Sequence, residues 1–191
     1  MNRRISHAVR ICVVCCALML VTCASRAAGQ QRPGLMGDLA DDVNVVEAKI
    51  VGLGNAMPPA AYDWRPGPSV RSTAEVLIHV AGDNYFMPAL IGVPAPKATG
   101  IDGKDNKTVA AFEARHLSRE QILAELTASF AFLRQAMVDT PEARFEMRPL
   151  NSVRNTTTRA TWIAAVTHLH EHLGQLIAYA RSNNVTPPWS K

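Results

Sequence analysis

The strongest constraint on the fold is a proline-free amphipathic stretch near the C-terminal end, residues 161–181. Its apolar residues recur every three or four positions: Trp162, Val166, Leu169, Leu173, Leu176, Ile177 and Ala180. This spacing predicts one long helix that buries a broad apolar stripe. The rest of the chain is therefore interpreted as the set of partners that cover this stripe.

The same predicted helix carries two histidines one turn apart. His168 and His172 project from one helical face, which Gln175 and Tyr179 continue, whereas His170 projects from another side. Two imidazoles on one face are half of a common transition-metal site. Two unrelated histidines, one of them partly buried, would give the same pattern, so the pair alone leaves both interpretations open.

Three further amphipathic segments predict the other long helices. Each carries apolar residues at helical spacing, and each begins with acidic or capping side chains. They cover residues 38–53, about 73–93 and about 118–137. Thr108–Arg115 adds a short helical turn to the loop between the second and third of them. Because no strand pattern competes, the sequence predicts an all-α four-helix bundle with long loops between helices 1 and 2, 2 and 3, and 3 and 4.

A third histidine interrupts the apolar run of the second predicted helix. His79 stands between Ile78 and Val80, and a buried imidazole costs free energy unless its nitrogens have partners. Hydrogen bonds to its nitrogens within the core satisfy that requirement. A site shared with His168 and His172, across a contact between two helices, satisfies it as well. Asp83, one turn further on, would then orient a ligand from outside the coordination sphere or remain a solvated aspartate.

The first 28 residues have the order of a secretory signal peptide. Three arginines in the first ten residues precede an apolar run, Ile11–Val21, and small residues follow. The mature chain is therefore expected to begin between Ala24 and Gln31 and to be periplasmic or secreted. A lipoprotein processed at Cys23 is the alternative.

The domain plan that follows is a signal peptide (1–28), a flexible spacer (29–37), a bundle (38–186) and a C-terminal tail (187–191). All four cysteines lie within the signal segment, so the mature chain forms no disulfide. Four of the 20 basic residues and none of the 16 acidic ones lie there too, which leaves the remainder balanced. A balanced charge gives no electrostatic reason to expect nucleic acid or a membrane as a stable partner. A small-molecule ligand and a homodimer remain compatible with it.

Taken together, these motifs resemble the DinB/YfiT-like family of metal-binding four-helix bundles. The resemblance is carried by His79, by His168-x3-His172-x-Gly174-Gln175 and by the lead Tyr62-Asp-Trp-Arg65-Pro66 before the second helix, and it covers essentially the whole mature chain. It implies that the three histidines hold one divalent metal, zinc or nickel. Leu173 stands where many relatives carry arginine. The predicted export of this chain also differs from the mostly cytoplasmic location of the family.

Three neutral ligands leave at least one coordination position for water or substrate, as in catalytic rather than structural zinc sites. Characterised relatives include thiol-dependent transferases and isomerases that use glutathione, mycothiol or bacillithiol. The resemblance thus implies a metal-dependent thiol transferase or a hydrolase acting on an unknown small molecule. A non-catalytic metal- or ligand-binding bundle of the cell envelope is the alternative, because no nucleophile–base motif identifies catalytic residues.

Overall fold

The computed structural model describes residues 34–149 and 156–190, and these ranges form helices without a β-strand. The α-helices are α1 (Leu35–Ala56), α2 (Thr73–Leu90), α3 (Lys107–Glu113), α4 (Arg119–Asp139) and α5 (Thr158–Ser182). The predicted all-α class is confirmed for the described residues, with five helices in place of the predicted four. The predicted signal peptide and the alternative lipidation site at Cys23 fall outside the described residues.

The four long helices pack around one apolar core. Helix α1 lies against α4 and α5, and α2 lies against the same two helices. The residues that fill the centre are fully buried and come from all four helices: Ile50, Leu77, Phe130, Leu133, Trp162 and Leu169. Because burying one such side chain stabilises a fold by about 1.5–3 kcal/mol, this shared core holds the helices together.

The helix starts follow from local capping chemistry. The Ser72 hydroxyl accepts from the Glu75 amide while the Glu75 carboxylate accepts from the Ser72 amide, and Ser118 and Gln121 repeat this reciprocal pair. The Thr157 hydroxyl accepts from the amide of Ala160 at the start of α5. Each such cap stabilises a helix by about 1 kcal/mol. The predicted starts of α2 and α4 are confirmed, whereas α5 begins three residues before the predicted stretch.

Several helix boundaries differ from the prediction by two or three residues. Helix α1 begins at Leu35, inside the segment predicted as a spacer, because Met36 is only 6% exposed and belongs to the core. Helix α2 ends at Leu90, before its predicted end near residue 93. Gly92 follows with φ of 84°, a backbone conformation that glycine adopts without a steric penalty.

The connection between α2 and α4 packs closely on α2. A β-carbon at Gly103 would come within 2.3 Å of the Ala89 carbonyl oxygen, so the two backbones are in direct contact. The predicted short helical turn is α3, and its Phe112 is buried against Gly82 of α2. This contact places the next residue, Glu113, beside α2. None of the helices in the described ranges combines the length and apolarity needed to cross a membrane.

Candidate metal centre

The contact between α2 and α5 brings the three predicted histidines together. The ring centroids of His168 and His172 are 4.4 Å apart, and the ring of His79 lies 4.7 Å from His172 and 5.2 Å from His168. One nitrogen from each ring lies within 4.8 Å of the other two. Three imidazole nitrogens therefore face a common point between the two helices.

Hydrogen bonds on the outer side of two rings determine which nitrogens face inward. His79 Nδ1 lies 2.7 Å from Glu113 Oε1, and His172 Nδ1 lies 2.8 Å from Gln175 Oε1. Carboxylate and amide oxygens only accept, so in each neutral ring Nδ1 carries the proton and Nε2 keeps its lone pair. Outer partners of this kind are usual for histidines that bind metals, because they orient the ring and fix its tautomer.

These outer partners are themselves connected. Gln175 Nε2 donates to the Tyr179 hydroxyl at 2.9 Å, and that hydroxyl donates to the Arg71 carbonyl oxygen at 2.9 Å. The Arg71 guanidinium pairs with Glu113 Oε2 at 3.1 Å. The network therefore runs from His172 to His79 through α5, the segment before α2, and the end of α3. The sequence placed Gln175 and Tyr179 on the histidine edge, whereas Arg71 joins the network only through tertiary contacts.

Two acidic residues complete the surroundings of the histidines. Glu113 was missed by the sequence analysis because it lies 34 positions from His79, and only its place at the end of a predicted helical turn could have suggested it. The interpretation of Asp83 as a solvated aspartate is wrong, because its side chain is 15% exposed and its Oδ2 lies 2.7 Å from His168 Nε2. His170 is 48% exposed and pairs with Asp42 of α1, outside the cluster as expected.

The pKa values favour metal binding near neutral pH. The pKa of His172 is lowered to about 4, chiefly by burial; the hydrogen bond to Gln175 opposes this shift, and the neighbouring His168 and His79 add to it. Burial alone would raise the pKa of Glu113, but its bonds to His79 and Arg71 hold that pKa below its usual value. At physiological pH His172 is therefore neutral, as a metal ligand must be. Glu113 is ionised and accepts the hydrogen bond from His79.

One nitrogen of the histidine cluster is buried and has no hydrogen-bond partner within the described residues. His168 Nε2 is inaccessible to solvent and makes no hydrogen bond, because the Asp83 oxygen at 2.7 Å lies in an unfavourable direction for one. A buried polar atom without a partner costs about 1–3 kcal/mol. Imidazole nitrogens with a nearby carboxylate suit a divalent transition metal, and such an ion would satisfy this atom. The donor set therefore fits a metal site.

A cleft of about 470 Å³ between α2 and α5 is lined by one of the three histidines, His168. Its volume is in the range of small-molecule sites. One end is formed by Asp83 and His168, and the wall is mostly apolar: Phe86, Met87, Leu90, Ala160 and Ala164. Polar lining comes from Glu171, Asn106 and three threonines. Among the described lining residues there are two carboxylates and no lysine or arginine.

Comparison with known proteins identifies the relatives of this chain. The model of the DinB superfamily matches residues 45–176, more than half of the sequence. The matched range includes all three histidines of the cluster together with Asp83, Glu113 and Gln175. A search of curated proteins gave no match.

Proposed function

Because the chain belongs to the DinB superfamily, we propose that His79, His168 and His172 hold one divalent metal ion, zinc or nickel. The four long helices form the metal-binding bundle, joined by long connections of which α3 is a part. The protein is then a metal-dependent transferase or hydrolase acting on a small molecule. The observation that carries this function is the cleft that ends at His168 and Asp83, since a purely structural metal would need no such access.

Each residue near the centre has a defined task in this proposal. Glu113 and Gln175 hold the protons on the outer nitrogens of His79 and His172. When bound, the metal supplies a Lewis acid that makes a water or a thiol a stronger nucleophile. The described part of the chain contains no cysteine, so the attacking group comes from water or from a thiol co-substrate. The apolar wall excludes bulk water from the bound substrate.

The lining of the cleft indicates the class of substrate. Apolar side chains on both helices suit a hydrocarbon or aromatic group. Away from the proposed ion the described lining has one carboxylate, Glu171, and no lysine or arginine, so an anionic group in the cleft is disfavoured. We therefore propose a neutral or cationic apolar substrate, and we expect anionic thiols such as glutathione to bind poorly.

Binding of thiol probes to the cobalt-loaded protein tests this proposal. We expect benzyl mercaptan to produce a sulfur-to-cobalt charge-transfer band, because the cleft gives its thiolate access to the ion. The matched probe 4-(mercaptomethyl)benzoate should bind at least about tenfold more weakly, a difference of about 1.4 kcal/mol. Absorption titrations measure both dissociation constants.

A pair of variants separates binding in the cleft from binding elsewhere. Ala164→Phe fills the cleft and should weaken benzyl mercaptan binding while leaving cobalt affinity unchanged. Ala128→Phe, at an exposed position of α4 outside the cleft, should change neither. Cobalt that binds tightly but accepts no thiol or other exogenous ligand would favour the alternative, a non-catalytic metal-binding bundle of the cell envelope.

We also propose that residues 1–28 export the protein to the periplasm or the medium. The support is the order of basic, apolar and small residues in this segment. The intact mass of the protein purified after expression of the full chain should correspond to a start between Ala24 and Gln31. A mass that retains Met1, or a lipid on Cys23, would contradict this form.

A further inference from the structure

We infer that Asp83 is a fourth ligand of the metal ion, an inference that rests on the proposed three-histidine site. Asp83 Oδ2 lies 2.7 Å from His168 Nε2 and 3.5 Å from His79 Nε2. Two donor atoms bound to one ion at about 2.0–2.2 Å each are separated by roughly 3.0–3.5 Å, for angles between octahedral and tetrahedral. The carboxylate oxygen lies at this spacing from His79 and slightly closer to His168, so it is placed to share an ion with both histidines.

The direction of the His168 ring supports the same conclusion. Its Nδ1 faces outward, 3.9 Å from the carboxylate of Glu171, which is 77% exposed. Its Nε2 is the inward nitrogen and makes no hydrogen bond, although the Asp83 oxygen is close. Two lone-pair-bearing atoms this close repel each other unless a proton or a cation lies between them. Since the direction is poor for a hydrogen bond, a shared cation is the better explanation of the contact.

The helices present the four groups as two matching pairs. His79 and Asp83 are one turn apart on α2, and His168 and His172 are one turn apart on α5. Side chains four residues apart share a helical face, and α2 and α5 pack against each other. Metal sites in helix bundles are commonly built from such inward-facing pairs on facing helices. His79-x3-Asp83 is therefore the counterpart of His168-x3-His172.

A carboxylate ligand would change the chemistry of the site. Three histidines leave both charges of a divalent ion uncompensated within the ligand set, whereas Asp83 neutralises one of them. An oxygen donor also makes the site more favourable for ions that accept mixed nitrogen and oxygen ligands, such as nickel, cobalt or iron. Asp83 would thus contribute to metal selectivity through its own donor oxygen.

Substitution of Asp83 followed by cobalt titration tests this inference. Asp83→Asn keeps the shape of the side chain and should both weaken cobalt binding and change the ligand-field spectrum. The spectrum is the deciding readout, because loss of an outer partner alone typically weakens metal binding by about 10–100-fold. Asp83→Cys offers a thiolate in its place, so its cobalt complex should gain a sulfur-to-cobalt charge-transfer band. All variants are purified in the same form as wild type, so the four cysteines of residues 1–28, where that segment is retained, contribute equally. Glu171→Cys, at the exposed rim of the cleft, is the control and should gain no band.

The outcomes separate this inference from the proposed metal site. If wild type does not bind cobalt, the three-histidine site itself fails. If wild type binds cobalt, an Asp83→Cys complex without the band overturns the inference. An Asp83→Asn complex with an unchanged ligand-field spectrum also overturns it and leaves Asp83 as an outer hydrogen-bonding residue. Circular dichroism melts of the metal-free variants show whether each one is folded.

Discussion

Adding zinc or nickel to the metal-free protein is expected to raise its free energy of unfolding by about 3–4 kcal/mol when free metal exceeds the dissociation constant several hundredfold. The gain follows from mass action, because the folded state assembles the three histidines and the unfolded chain does not. In the metal-free bundle these polar rings face one another, and one of their nitrogens, His168 Nε2, is buried without a hydrogen bond. Thermal melts with and without metal measure the gain.

Single alanine substitutions identify the histidines responsible for this stabilisation. We expect His79→Ala, His168→Ala and His172→Ala each to lose most of the metal-induced increase, because two remaining imidazoles bind an ion much more weakly. His170→Ala is the matched control, since its ring lies on another face of α5 and pairs with Asp42. Equal metal-induced shifts in wild type and His79→Ala would show that the histidine of α2 is not a ligand.

Acidification is expected to destabilise the metal-free protein through His172. Burial lowers the pKa of this ring from 6.5 to about 4, so between these values the unfolded chain binds a proton that the folded protein does not. Stability therefore rises with pH across this window and is lost as the pH falls from 6.5 to 4. We expect this group to account for about 1–3 kcal/mol, where the lower end allows for solvent screening of a half-buried ring.

The effect is measured as a difference between two proteins. Urea denaturation in the presence of a chelator at a series of pH values gives the free energy of unfolding of wild type and of His172→Asn. Wild type should lose more stability on acidification than the variant, which has no titrating group at this position. Parallel curves would contradict a depressed pKa at His172. Metal-loaded protein should also release its ion in acid, because protons compete for the same nitrogens.

Local features of the sequence were sufficient to predict the helices. The apolar stripe of residues 161–181 and the capping patterns at Ser72 and Ser118 depend on residues within one or two turns, so they can be recognised before any tertiary contact is known. The spacing of His168 and His172 likewise determines that both rings lie on one face. His79 joined them only as a hypothesis, because periodicity does not say which helices face each other; the family resemblance supplied that pairing.

The tertiary structure decided what surrounds the histidines. Glu113 reaches His79 because Phe112 packs on Gly82, a contact between α3 and α2 for which residue spacing has no signal. The distance between Asp83 and His168, and the cleft that ends at this pair, depend on how closely α2 and α5 approach. Such contacts join residues far apart in the chain, and their geometry is determined by side-chain packing in the shared core rather than by periodicity. The sequence by itself determined the helices and the metal-ligating face of α5, while packing determined the partners of that face.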